Sequence, residues 1–153
     1  MKMIEATGRS QEPPFTAPCP DIFKLPLEIY EMMLANLKVL LPEEGCGFLA
    51  SQNGAIVALL PVENALHSPT RFQMASTPMV AALHQIIEKE WQLSAVYHSH
   101  PAGPAQLSAT DLAELNYREA CQIVVSFQDP NRPETAVFRV TDEGILRIPL
   151  QIL

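Results

Sequence analysis

Between Leu27 and Leu41 the apolar residues Tyr30, Met33, Leu34, Leu37 and Leu41 recur every three or four positions, with Pro26 ahead of them and Pro42 behind. That spacing gathers them on one face of a helix whose two ends the prolines mark. The period then shortens. Gly45–Ala50 and Ala55–Val62 are apolar runs separated by Gln52-Asn53-Gly54, and Asn-Gly accepts the positive φ angles of a tight hairpin, so two antiparallel strands are expected. Thr77-Pro78 reads as an N-cap followed by proline in the first helical position. It leads a second helix, to about Gln92, with Val80, Leu83, His84, Ile87 and Trp91 on one face. Leu93–His98 is a short apolar run, and Ser108–Arg118 reads as a third helix. Cys121–Phe127 and Ala136–Val140 are β-branched and aromatic strands around a turn at Asp129–Pro133, and Gly144–Leu150 is a last strand. Helices interleaved with strands predict an α/β fold, a single domain whose mixed β-sheet is packed with helices.

Composition narrows the class. A chain of 153 residues supports one hydrophobic core. It has no apolar run near the roughly 20 residues of a membrane span, so no membrane partner is expected. The first twenty residues, MKMIEATGRSQEPPFTAPCP, contain four prolines and no apolar run of signal-peptide length. They read as a disordered or extended Pro-rich leader to a domain at 21–153, with a cytoplasmic location. Seventeen acidic against ten basic residues, a net charge of −7, leave no basic cluster to follow a phosphate backbone, which argues against nucleic acid. The cysteines, Cys19, Cys46 and Cys121, are odd in number and form no C-x-x-C pair. Neither a disulfide framework nor a cysteine-rich zinc site is expected, and Cys46 and Cys121 read as small buried core residues.

The candidate chemistry lies in residues 98–111, HSHPAGPAQLSATD. On an extended strand His98 and His100 project to one side and Ser99 to the other. Two imidazoles on one face can share a metal ion, and a catalytic zinc takes three protein ligands and keeps one position open. Asp111, in the first turn of the third helix, is the nearest downstream carboxylate that a folded-back loop would deliver. Two blander readings stand beside this one. Ser108-Ala109-Thr110-Asp111 also fits a capping box, and a His-x-His pair by itself equally describes an exposed strand end. Upstream, Pro42-Glu43-Glu44-Gly45-Cys46-Gly47-Phe48-Leu49 places a carboxylate immediately before an apolar strand, where it could face a metal-bound water.

Taken together these residues resemble the JAMM or MPN+ zinc metalloproteases, closest to their short, free-standing prokaryotic type. That signature is a glutamate ahead of the first hairpin, His-Ser/Thr-His-Pro, seven intervening residues, then Ser-x-x-Asp. Here Glu44, His98-Ser99-His100-Pro101, the seven residues Pro101–Leu107, and Ser108-Ala109-Thr110-Asp111 fill every position. The resemblance runs from about Phe23 to Leu150 and implies a cytidine-deaminase-like arrangement of sheet and helices. It implies one zinc ion per chain held by His98, His100 and Asp111, Glu44 as general base, and Ser108 as a stabiliser of the oxyanion. Of the adjacent acids, Glu44 rather than Glu43 occupies the family position, two before Cys46. The implied substrate is a ubiquitin-like or sulfur-carrier protein cleaved at a flexible C-terminal tail. Val62-Glu63-Asn64 and Ser68–Phe72 are candidate groove residues, although Arg71 equally reads as a surface charge and Phe72 as core. His67 and His84 read as a surface-loop residue and a core-edge residue. A non-catalytic MPN-type scaffold is the alternative, and a cell-wall endopeptidase a more distant one. The particular substrate, the pathway and any homo-oligomer stay open.

Overall fold

A computed structural model describes residues 14–153. Its elements, in chain order, are β1 (Phe23–Leu25), α1 (Leu27–Val39), β2 (Cys46–Gln52), β3 (Ala55–Val62), α2 (Ser76–Glu88) and β4 (Gln92–His100). They continue as α3 (Ala109–Ala113), β5 (Cys121–Ser126), β6 (Glu134–Thr141), β7 (Gly144–Ile148) and β8 (Leu150–Ile152). Six strands form one sheet in the order β3-β2-β4-β5-β6-β7. Only β4 and β5 run parallel within it; the other neighbours are antiparallel. A small parallel pair, β1 with β8, stands outside, and neither strand is long enough to announce itself by alternation.

α1 covers one face of the sheet and α2 the other. Met33 and Leu37 of α1 are fully buried with Leu49, Ala95, Tyr97, Ile123 and Val125 from three central strands. Tyr30, Leu34 and Leu41 pack against the same cluster, so the helical face read from the sequence is the one buried. Each large aliphatic side chain so enclosed contributes roughly 1.5–3 kcal/mol. On the other face Ala82 and Ile86 pack with Phe48, Leu60, Leu93 and Val96. Of the expected face, Leu83 and Trp91 do pack against this cluster, but Val80 and Ile87 are more than half exposed and His84 lies in solvent. The helix also begins earlier, capped by Ala75 without a side-chain bond. Pro78 thus falls in its third position, where no intrahelical N–H bond is lost.

Asn53 and Gly54 both have positive φ, 52° and 82°, as the two-residue hairpin between β2 and β3 requires. Gly47 answers a different need. A Cβ there would stand 2.5 Å from the Tyr97 hydroxyl and 2.6 Å from the Leu60 carbonyl, so β2 lies flush against its neighbours only with glycine.

Of the expected leader, residues 1–13 lie outside the described residues. After a turn at 14–15 the chain bridges β4 at Thr16 and continues beside the sheet: Leu93 N donates to Phe15 O at 2.9 Å, Ala17 N to Leu93 O at 2.8 Å, and Cys19 N to Glu119 O at 2.9 Å. Cys19 and Cys121 are joined by a disulfide across 102 residues, with Cα atoms 4.8 Å apart. Counting cysteines did not anticipate this bond, because pairing depends on where the chain's amino-terminal stretch settles against β5. Cys121 is nonetheless fully buried, and so is Cys46, as expected for small core residues. Among the described residues no helix is long and apolar enough to cross a membrane.

Candidate metal centre and active site

Three backbone elements meet at the carboxyl end of β4. His98 and His100 lie two apart on that strand and therefore face the same side, as Val96 does, while Ser99 turns to the other side and accepts a 2.9 Å bond from Gly45 N. The antiparallel register pairs Cys46 of β2 with His98. Glu44, two residues before Cys46, consequently stands next to His100. The crossover from β4 to its parallel neighbour β5 folds back over the strand end and carries α3. Its capping box is complete: Asp111 N donates to Ser108 Oγ at 3.0 Å and Ser108 N donates to Asp111 Oδ2 at 2.9 Å.

The capping reading and the ligand reading of Asp111 are therefore compatible, because one oxygen serves both. Asp111 Oδ2 lies 3.2 Å from His98 Nε2 and 3.0 Å from His100 Nε2, and the two imidazole nitrogens are 3.1 Å apart. With Glu44, these ligand atoms all fall within 4.8 Å of one another. Donors about 2.0–2.1 Å from a tetrahedral zinc stand roughly 3.3 Å apart, so the triangle has the dimensions such an ion requires. His100 Nδ1 lies 2.8 Å from the Pro104 carbonyl, an acceptor only. With an ion bound, that nitrogen would carry the proton and leave the lone pair of Nε2 to the metal. Glu44 supplies a second sign of fit: its Oε1 is buried without any hydrogen-bond partner, a costly state for a carboxylate unless something else occupies its lone pairs.

The electrostatics agree with a site built to hold charge. Burial raises Glu44 to about 7, opposed by His100 and assisted by Asp111. Burial alone would also raise Asp111, but the hydrogen bonds of His100 and His98 outweigh it and hold the carboxyl well below the usual range. Burial lowers His98 against the pull of Asp111. At His100 burial acts in the same sense but is overcome by the Asp111 and Pro104 hydrogen bonds, so its net shift is upward.

The surroundings contain residues that motif spacing did not single out. Asn64 is no groove residue. It is buried, its Nδ2 donates to the carbonyls of Glu44 at 3.0 Å and Arg71 at 3.1 Å, and its Oδ1 accepts from Leu66 N and Gln73 N, both at 3.1 Å. It braces the Glu44 backbone and the β3–α2 connection together. Val62 is core, and Glu63 is exposed beside His67. Phe72 stacks on the His98 ring, centroids 4.6 Å apart, and with Arg71 lines a cavity of about 470 Å³ next to the cluster. The Pro104 carbonyl had no signal beyond the loop's proline. Glu43 turns away to the surface, its Oε1 3.0 Å from His67 Nδ1.

Residues 26–140 match the model of the prokaryotic homologs of the JAB domain. The chain belongs to this family. The CysO-cysteine peptidases of Mycobacterium bovis and Mycobacterium tuberculosis share 27% identity with this JAB-domain chain over 128 residues, covering 82% of it and 88% of their own length. A protein from Thermus thermophilus described as a probable TtuB-protein conjugate cleaving protease is 31% identical over 98 residues, covering 63% of this chain and 66% of its own. Among solved structures, a Desulfitobacterium hafniense protein superposes with a TM-score of 0.77 at 26% identity, covering 86% of this chain and 92% of that one. A JAB1/MPN domain protein from Archaeoglobus fulgidus superposes at 0.55 with 15% identity, covering 88% and 100%. The mixed sheet flanked by helices is thus the fold of JAB/MPN domains.

Proposed function

We propose that this protein is a zinc-dependent peptidase or isopeptidase that hydrolyses an amide bond at the C-terminal tail of a ubiquitin-like or sulfur-carrier protein. The observation that carries the reading is the convergence of Glu44, His98, His100 and Asp111 in one buried cluster. Its substrate class is suggested by relatives named for acting on CysO and TtuB conjugates. His98, His100 and Asp111 would hold the ion. Bound there, zinc supplies Lewis acidity and a water whose pKa falls to about 7. Glu44 would take the proton of the attacking water and pass it to the leaving amine, a task its buried place beside the histidines and Asp111 suits. Ser108 Oγ accepts from Asp111 N and keeps its own proton for the developing oxyanion, a contribution of roughly 3 kcal/mol for a single donor of this kind. A cytoplasmic setting belongs to the same reading, and the Cys19–Cys121 bond is the observation that bears against it.

Glu44→Gln separates proton transfer from metal binding. Metal analysis of this variant should still find about one zinc per chain, while turnover of a ubiquitin-like protein with a C-terminal extension falls by about two orders of magnitude or more. Glu43→Gln should be nearly silent. Failure of the wild-type protein to retain metal after zinc reconstitution would instead favour the non-catalytic scaffold.

A further inference from the structure

Glu44 and Gly45 precede β2 and belong to no helix or strand, so regular structure does not fix where the Glu44 side chain stands. Nor is the carboxylate anchored at its buried Oε1, which has no hydrogen-bond partner. Its place depends on the backbone beneath it, and all four polar backbone groups of the two residues are taken. Glu44 N donates to Ser68 O at 2.9 Å, and Gly45 O accepts from Ser99 N at 3.0 Å. Glu44 O accepts from Asn64 Nδ2 at 3.0 Å, and Gly45 N donates to Ser99 Oγ at 2.9 Å. Two of the four bonds thus go to Ser99, which is fully buried. An antiparallel pair that makes the first of these two ordinarily returns the second to the partner's carbonyl. Here the Gly45 N–H goes to the hydroxyl instead, where the chain leaves the β2–β4 ladder just beyond the pair of Cys46 with His98. From the other side Gly45 is pressed by α1 and the residue that ends it: a Cβ on it would stand 2.7 Å from Leu37 Cδ2 and 2.8 Å from Leu40 Cδ1.

We infer that Ser99 is a positioning residue for the reaction: its hydroxyl holds Gly45 and thereby sets where the Glu44 carboxylate stands against His98, His100 and Asp111. The inference rests on the peptidase reading above. Ser99 alternates with the two histidines along β4, so its side chain faces away from the cluster, and it is not among the residues lining the cavity. It therefore touches neither ion nor substrate and acts only through Gly45. Such an indirect role has a large lever, because a misplacement of about 1 Å costs on the order of a hundredfold in rate. The role needs an acceptor oxygen on the β-carbon, which threonine has and alanine and valine lack. Threonine and valine share a shape, so a difference between them reports the hydroxyl and not the packing.

The test compares zinc-loaded wild type with Ser99→Ala, Ser99→Thr and Ser99→Val on a ubiquitin-like protein carrying a C-terminal extension. Ser99→Ala and Ser99→Val should lower kcat by about tenfold or more while KM and zinc content stay as in wild type. Ser99→Thr should restore most of the rate. In a Glu44→Gln background Ser99→Ala should cost nothing further, because the group it places is gone, whereas a merely structural role would cost the same in both backgrounds. Hydrogen exchange reads the contact without turnover: the Gly45 amide should exchange about tenfold faster or more in Ser99→Ala and Ser99→Val than in wild type and Ser99→Thr. Equal rates in the threonine and valine variants, the same loss with and without Glu44, or loss of zinc from Ser99→Ala overturns the inference and leaves the peptidase reading standing. An inactive zinc-loaded wild type removes both.

Discussion

Adjacent glutamates meet different fates because one residue of chain rotates a side chain to the opposite side. Glu43 goes to the surface, where it, Glu63 and His67 form a small cluster. The hydrogen bond and charge of Glu43 raise the His67 pKa, with a smaller push from Glu63. An NMR titration should place the His67 midpoint above its ordinary value, and Glu43→Gln should bring it down; an unchanged midpoint would count against this contact. Glu44 is buried instead, and its raised pKa has a defined sign. In the metal-free protein its protonated form is favoured by the fold. The stability linked to it is fully present below the ordinary carboxylate value of 4.5 and is lost as pH rises toward about 7. Between pH 4 and pH 8 the metal-free wild type should lose about 3 kcal/mol relative to Glu44→Gln, read as the difference between two urea-unfolding series. Asn64→Leu leaves backbone groups of Glu44, Leu66 and Gln73 without partners. It should cost on the order of 2–4 kcal/mol and weaken zinc affinity together with stability; loss of neither would show that the brace is dispensable.

Among the elements, α3 departs furthest from what periodicity suggests. The expected helix to Arg118 stops after five residues. Tyr117 takes a positive φ of 54° and packs edge-on against Phe48, 5.5 Å between centroids. Gln122 Nε2 then donates to the carbonyls of Tyr117 and Ala120, at 3.3 and 3.4 Å. Tertiary packing on the α2 face therefore outweighs local helix propensity. The amino-terminal stretch from residue 14 likewise owes its place to partners distant in sequence. Cys19→Ser opens a loop of 102 residues and should destabilise the oxidised protein by about 2–5 kcal/mol. The same loss should follow reduction of the wild type. Thiol alkylation of the denatured, unreduced chain should label Cys46 alone; three labelled thiols would mean that the bond does not form under those conditions.

At the scale of the whole molecule, an ion held by His98, His100 and Asp111 would couple the strand to the crossover, with Glu44 at the entry to β2 beside it, because the four cluster residues come from three separate segments. Zinc at one hundred times its dissociation constant should stabilise the folded chain by about 2.7 kcal/mol. Chelation should lower the melting temperature while leaving a folded protein, since the two cores flanking the sheet contain no cluster residue. Unfolding on chelation would show instead that the site is structural.

What the sequence determined by itself is what short-range pattern encodes. The buried face of α1, the β2–β3 hairpin and the common orientation of His98 and His100 follow from periods of 3.6 and 2 and from Asn-Gly. The fixed spacing of a glutamate, two histidines, a serine and an aspartate pointed to the JAB-type domain. Tertiary structure decided whatever depends on contacts between distant segments. The β2–β4 register put Glu44 beside His100, and the crossover brought Asp111 over the strand end. Sheet packing chose which side of α2 is buried and where α3 stops, and the path of residues 14–20 joined Cys19 to Cys121. Asn64 as a brace and the bond from Gly45 to Ser99 belong to the same class, because a hydrogen bond between residues far apart in the chain leaves no periodic trace along it.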